Sequence, residues 1–223
     1  MVEIIALPSQ VAYLVETIGH PLPTLLLRLQ SGARPFIIAI DGGSGAGKST
    51  LAVQIAQVLN AALVQSDDFY SAHIPDAEWD RRTPEERYDD VIDWRRLRTE
   101  VLLPLRAGQT ARWHPFDFAH PRADGTYPPS SEVVERGPAD VIVLDGAYST
   151  RPELLDLIDL TMLIDVPVSI RHARLAARED AAFLTAWHAR WDAVEAYYFS
   201  QVRPTAVFDL VIGADGTLLT LRT

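Results

Sequence analysis

The chain has 223 residues, 48% of them apolar, enough for one domain with a sizeable core. Its formal net charge of −10 argues against a general nucleic-acid or anionic-membrane partner, because either would need a basic face to displace counterions. No cysteine is present, which excludes disulfides, thiolate catalysis and cysteine-ligated metals. Glu3, Pro8, Glu16 and Pro21 interrupt the apolar first thirty residues, so no signal peptide is expected. Nowhere do about 18 uncharged apolar residues run together, so no membrane span is expected and a cytoplasmic location follows. Oligomeric state is left open, self-association included.

In chain order, Ser9 to Leu29 has helical apolar spacing around Pro21 and Pro23 and predicts a packing helix within an N-terminal segment, 1–34. Phe36 to Ile40 is a buried-strand run that breaks into glycine and ends on Lys48-Ser49-Thr50. Gly42, Gly47, Lys48 and Ser49 satisfy the phosphate-loop spacing of glycine, four residues, glycine, lysine and a hydroxyl residue. Residues without a β-carbon let successive N–H groups point at one anion, and the helix that begins near Lys48 turns its positive end to the same charge. Gly43, Ser44, Gly45, Ala46, Gly47, Lys48, Ser49 and Thr50 are therefore expected to cradle phosphates. Lys48 would reach the β and γ phosphates, and the Ser49 hydroxyl would ligate Mg²⁺.

Ala62 to Gln65 predicts a second strand, which runs into Ser66, Asp67, Asp68, Phe69 and Tyr70. Acids at a strand's carboxyl end stand where parallel α/β sheets bind ligands, though they serve equally as turn or cap residues. Thr83, Pro84, Glu85 and Glu86 form a capping-box start for a helix that carries Tyr88 and Asp89. Trp94 to Arg106 continues with Leu97, Val101, Leu102 and Leu105 toward the core, and Pro104 is expected to bend its last turn. From 111 to 135 the texture turns to aromatics, prolines and turn residues, with Asp124-Gly125 the clearest turn signal. This hairpin insertion is a substrate lid or an edge decoration.

Val141 to Leu144 is an apolar strand that ends in Asp145-Gly146. The aspartate is a second carboxylate for Mg²⁺ or a turn residue. Thr161 to Ile164 makes a fourth strand, and Pro167 opens a helix with Arg171, Arg174 and Arg178 on one face, facing either phosphate or solvent. Ala181 to about Gln201 stacks Trp187, Trp191, Val194 and Tyr198 as core, and 167–202 is read as a lid and its following helix. Leu210 to Ile212 is the last strand, and Ala214-Asp215-Gly216 can turn it into a terminal hairpin. The pattern predicts a single α/β domain over 1–223, a three-layer sandwich with a mostly parallel five-stranded sheet and helices on both faces.

Together these pieces resemble the uridine kinase and phosphoribulokinase group of phosphate-loop kinases over most of 36–212. SDDFY at Ser66 to Tyr70 is similar to the family segment whose first acid accepts the acceptor's hydroxyl proton, which implies Asp67 as base with Tyr70 beside the acceptor. YDDVIDW resembles the stretch whose acid holds ribose hydroxyls, mapping to Asp89. PFDFAH resembles the base-contacting hairpin, with Phe116 and His120, and IVLDG resembles the acidic strand end at Asp145. The arginine row resembles the family's lid. The resemblance implies ATP and Mg²⁺ as cofactors and γ-phosphoryl transfer to a hydroxyl of a small metabolite, a pyrimidine nucleoside first among the acceptors. Arg174 joins Lys48 on the transferred group, and Arg171 and Arg178 lie toward substrate. Phe116 stands where uridine kinases usually show tyrosine, so a sugar, pantothenate or phosphoribulose-like acceptor, or a nucleotide-binding regulatory module, is the competing expectation.

Overall fold

The computed structural model describes residues 35–128 and 130–221, so the helix expected over Ser9 to Leu29 lies outside the described residues. Strand β1 (Phe36–Asp41) is buried at every position, which is why it reads as an uninterrupted apolar run rather than an alternating one. Its side chains still alternate faces. Ile37 and Ala39 enter one apolar cluster, while Phe36, Ile38 and Ile40 enter another on the opposite side of the sheet. Those two clusters are the two interfaces of a three-layer sandwich.

Helix α1 (Lys48–Leu59) covers the second face through Ala52 and Ile55. Strand β2 (Ala62–Gln65) follows it, and then a 3₁₀ turn, Ser66–Phe69. The first face is covered by α2 (Asp76–Trp79), α3 (Pro84–Val91) and a continuous helical stretch. That stretch comprises α4 (Trp94–Arg96), a π-helical segment (Leu97–Leu102) and α5 (Leu103–Arg106). The capping box at the start of α3 forms as the sequence predicts: the Glu86 N–H donates to Thr83 Oγ1 at 3.2 Å and the Thr83 N–H to Glu86 Oε2 at 2.8 Å. Pro104 follows a change of helical type. The π-helical segment before it widens the hydrogen-bonding register, and the proline then sits in the first turn of α5, where no intrahelical N–H is required.

The insertion forms its own two-stranded sheet, with β3 (Ala111–Trp113) antiparallel to β4 (Val134–Arg136). Asp124-Gly125 does turn the intervening chain. Gly125 has φ +79°, and Asp124 Oδ1 accepts from the Thr126 N–H and hydroxyl at 3.0 and 2.7 Å. Strands β5 (Val141–Asp145), β6 (Leu160–Ile164), β7 (Leu210–Ile212) and β8 (Leu218–Leu221) complete the main sheet, in the order β2-β5-β1-β6-β7-β8. All pairs are parallel except β7 with β8, so the turn at Ala214-Asp215-Gly216 adds a sixth, antiparallel strand to the five expected. Helices α6 (Val168–Ala176) and α7 (Ala181–Tyr197) follow β6, and a π-helical turn, Tyr198–Val202, extends α7. No helix among the described residues is long and apolar enough to cross a membrane.

Asp41, the last residue of β1, is fully buried and locks the sheet's carboxyl edge. Its Oδ1 accepts from the Gly42 and Tyr148 N–H groups at 2.8 and 3.0 Å. Its Oδ2 accepts from the Thr150 N–H, the Thr150 hydroxyl and the Tyr198 hydroxyl at 3.0, 2.7 and 2.7 Å. One carboxylate thus ties β1, the segment after β5 and the end of α7 together. Tyr198→Phe removes one donor from that buried charge and is expected to destabilise the protein by about 2 kcal/mol. The expected observation is a lower urea midpoint with an unchanged slope.

Candidate active site

The carboxyl ends of β1, β2 and β5 meet beneath a cleft of about 980 Å³. The phosphate loop forms one wall, from Ser44 to Thr50, and α1 begins inside it with Gly47 at φ +100° and no side-chain cap. Its first N–H groups are thereby left for a ligand. Lys48 is buried and bends back over the loop, with Nζ donating to Gly43 O at 3.1 Å.

The charge of this ammonium acts on both carboxylates singled out from the sequence. Asp67 is exposed where it opens onto the cleft, while protein crowds around its carboxyl group. That desolvation lifts its carboxyl to about 6, with Lys48 pulling it down and Asp145 and Asp68 pushing it up. Asp145 is buried, and its carboxyl is raised by desolvation against the pull of the Ser49 hydroxyl and Lys48. The Asp145 Oδ1 atom is buried and has no hydrogen-bond partner. Gly146 makes this convergence possible: it has φ +139°, and a β-carbon there would fall 1.8 Å from Ser66 Oγ and 3.2 Å from Asp67 Oδ1.

Asp68 takes a different part from its neighbour. Its Oδ2 accepts from Trp113 Nε1 at 2.7 Å, and its backbone carbonyl accepts from the Phe116 N–H at 2.8 Å, so it fastens the hairpin to the strand end. The hairpin reaches the cleft through Phe118 and Tyr127, next to Tyr70 and Asp67. Phe116 packs behind them, edge-on to Tyr70 with centroids 5.8 Å apart and 4.6 Å from Phe118. Neither His120 nor Asp89 lines this cleft. His120 is exposed and bonds Asp117 at 2.8 Å, and Asp89 is exposed on α3.

The three arginines divide. Arg174 and Arg178 line the cleft, Arg174 donating to Ala46 O at 2.9 Å and Ala214 O at 3.3 Å. Helix α6 ends at Ala176, so Arg178 lies beyond it and pairs with Glu179 at 2.8 Å. Arg171 turns beneath the phosphate loop instead, bonding Ser44 O at 2.9 Å and Glu195 Oε2 at 2.8 Å. The row breaks up because Glu195, buried on α7, offers Arg171 an opposite charge at hydrogen-bonding distance. Its other oxygen accepts the Ser44 N–H at 2.7 Å.

Sequence reasoning did not single out Glu195 or Asp41. Asp41 carries the same signal as Asp145, an acid that ends an apolar strand. Glu195 carries another, a lone acid within the apolar run from Ala193 to Phe199. Of the residues expected as core here, Val194 on α7 and Tyr198 just beyond it are buried; Trp187, with Phe183, instead lines the cleft.

Comparison with known proteins agrees with this geometry. The model of the phosphoribulokinase / uridine kinase family matches residues 37–183. The chain is 30% identical to a uridine kinase of Borrelia duttonii over 145 residues, 64% of this chain and 66% of that protein's length. With a uridine kinase of Halobacterium salinarum it shares 33% identity over 151 residues, 65% of this chain and 62% of that protein. Among solved structures, a possible uridine kinase from Bacillus stearothermophilus superposes with a TM-score of 0.60 at 20% identity, covering 91% of this chain and 97% of that one, a likeness of fold. The matched span takes in the phosphate loop, both converging carboxylates, the hairpin and the arginine helix: the chain belongs to the phosphoribulokinase / uridine kinase family.

Proposed function

We propose that this protein transfers the γ-phosphoryl group of ATP to a hydroxyl of a small metabolite, a pyrimidine nucleoside in the first instance. The observation that carries this reading is Asp67, a carboxylate that lines the same cleft as the phosphate loop and Lys48 and lies within reach of that lysine's charge. A regulatory module would need the loop but not a solvent-accessible carboxylate with a pKa near neutrality.

The residues present fit Mg²⁺. The buried Asp145 Oδ1 without a partner and the Ser49 hydroxyl are oxygen donors of the kind a hard cation takes. When bound with ATP, Mg²⁺ supplies neutralising charge to the phosphate oxygens. The protein's own residues do the rest. Loop N–H groups and Lys48 hold the triphosphate, and Arg174, at the loop's edge, adds positive charge on the side of the transferred group. Asp67 orients the acceptor hydroxyl and accepts its proton as the bond to phosphorus forms. Because such transition states are loose, alignment contributes as much as basicity. The aromatic wall of Tyr70, Phe118 and Tyr127 supports a flat acceptor ring, stacked or edge-on.

Asp67→Asn is expected to lower kcat by about a hundredfold or more while leaving ATP affinity nearly unchanged, measured by coupled ADP release and nucleotide titration. Unchanged turnover would remove Asp67 from the reaction. The raised carboxyl also sets a pH dependence. Asp67 is active as the base, so kcat/KM should hold above about pH 6 and fall about tenfold per unit below it, and the limb should vanish in Asp67→Asn. A screen of uridine, cytidine, sugars and pantothenate for acceptor-dependent ADP release should select the nucleosides. Phe118→Ala should then raise the nucleoside KM with little change in kcat, and selection of a sugar instead would reassign the acceptor.

A further inference from the structure

Away from the cleft, α6 and α7 bring together three side chains that the phosphotransfer reading leaves without a role: His172 from α6, and His188 and Asp192 from α7. One ligating atom of each lies within 4.8 Å of the others, and all three side chains are partly buried. His188 and Asp192 are four residues apart, hence on one helical face, and their Nδ1 and Oδ1 atoms are 3.0 Å apart. His172 Nε2 lies 3.2 Å from the other oxygen, Asp192 Oδ2. It is buried and makes no hydrogen bond, so it is not directed along a line that satisfies the carboxylate. The two imidazole rings lie with centroids 3.9 Å apart, with their nitrogens gathered around one carboxylate.

We propose that His172, His188 and Asp192 form a binding site for a divalent transition-metal ion of the zinc class, bridging α6 and α7. The donor set is two imidazole nitrogens and one carboxylate oxygen, which suits Zn²⁺ and its neighbours and is poorly suited to Mg²⁺. In a tetrahedral site with bonds of about 2.1 Å, ligand atoms stand about 3.4 Å apart; here one ligating atom of each residue lies within 4.8 Å of the others, and Asp192 already approaches His188 at 3.0 Å and His172 at 3.2 Å, each through a different carboxylate oxygen. The remaining separation closes by side-chain rotation, and a water molecule completes four-coordination. An ion placed here explains why an imidazole nitrogen is buried without a hydrogen bond and why two rings crowd around a single carboxylate.

The site would act on the helices that flank the phosphate loop. His172 adjoins Arg171, whose guanidinium bonds Ser44 O and Glu195, and α6 also supplies Arg174 to the loop carbonyls. A metal shared by α6 and α7 fixes the spacing of the elements that carry the Arg171–Glu195 pair. This assignment does not depend on the acceptor or on the reaction proposed above.

The test is calorimetric titration of the full chain with Zn²⁺, without nucleotide and with Mg²⁺ in excess. One ion per chain is expected, with affinity reduced at least about tenfold in His172→Gln, His188→Gln and Asp192→Asn and retained in Asp145→Asn. Co²⁺ should give the intense visible absorption of a tetrahedral site in the parent protein and lose it in either histidine variant. Circular dichroism establishes that each variant is folded. Zinc binding that persists unchanged in the His172→Gln/His188→Gln double variant, or no binding above the Mg²⁺ background, would overturn the assignment.

Discussion

Three carboxylates and one ammonium crowd the carboxyl edge of the sheet, and how each is satisfied governs the rest of the molecule. Charges removed from water cost several kcal/mol each unless partners compensate them. Asp41 has five hydrogen bonds from backbone and hydroxyl donors and is inert structure. Asp145 keeps one oxygen without a partner, and Asp67 faces the cleft with its proton held more tightly than usual. Both look to the same Lys48. The fold thus spends its backbone donors on one acid and leaves two others with unmet capacity, which is the state in which groups bind cations or move protons.

The phosphate loop owes its shape as much to what lies beneath it as to its own glycines. A β-carbon at Gly45 would meet the Arg171 carbonyl at 2.7 Å, and one at Gly43 would meet the Arg171 guanidinium at 2.4 Å. Helix α6 therefore lies directly against the loop. Arg171 and Glu195 then form a buried pair whose outer hydrogen bonds go to Ser44, so the loop's backbone is gripped through both its N–H and its carbonyl. A buried ion pair of this kind contributes position more than stability. Positioning is what a loop that must present several N–H groups to one anion requires.

The hairpin is attached with comparable economy. Asp68 anchors its base through Trp113 and Phe116, and its tip brings Phe118 and Tyr127 to the cleft beside Tyr70. Two adjacent aspartates on one 3₁₀ turn thus point to opposite tasks, one toward the ammonium and one toward the insertion.

Local chemistry was sufficient to mark the phosphate loop, the apolar strands that feed it, the capping box at Thr83 and the Asp124-Gly125 turn. Each depends on residues within a few positions of one another, where spacing fixes geometry. Asp67 and Asp145 could be named as strand-end acids, but their approach to one lysine arises only because β2 and β5 lie side by side, with Gly146 pressed against Ser66. The turn at Ala214-Asp215-Gly216 announced the terminal hairpin, whereas the π-helical segment before Pro104 and the parting of the arginine row were decided by packing. Helical spacing alone puts Arg171 and Arg174 on one face and cannot reveal that a carboxylate 24 residues away draws the first of them inward. Pairings between distant residues depend on how the layers close, and that information is carried by the assembled core rather than by any single stretch of sequence.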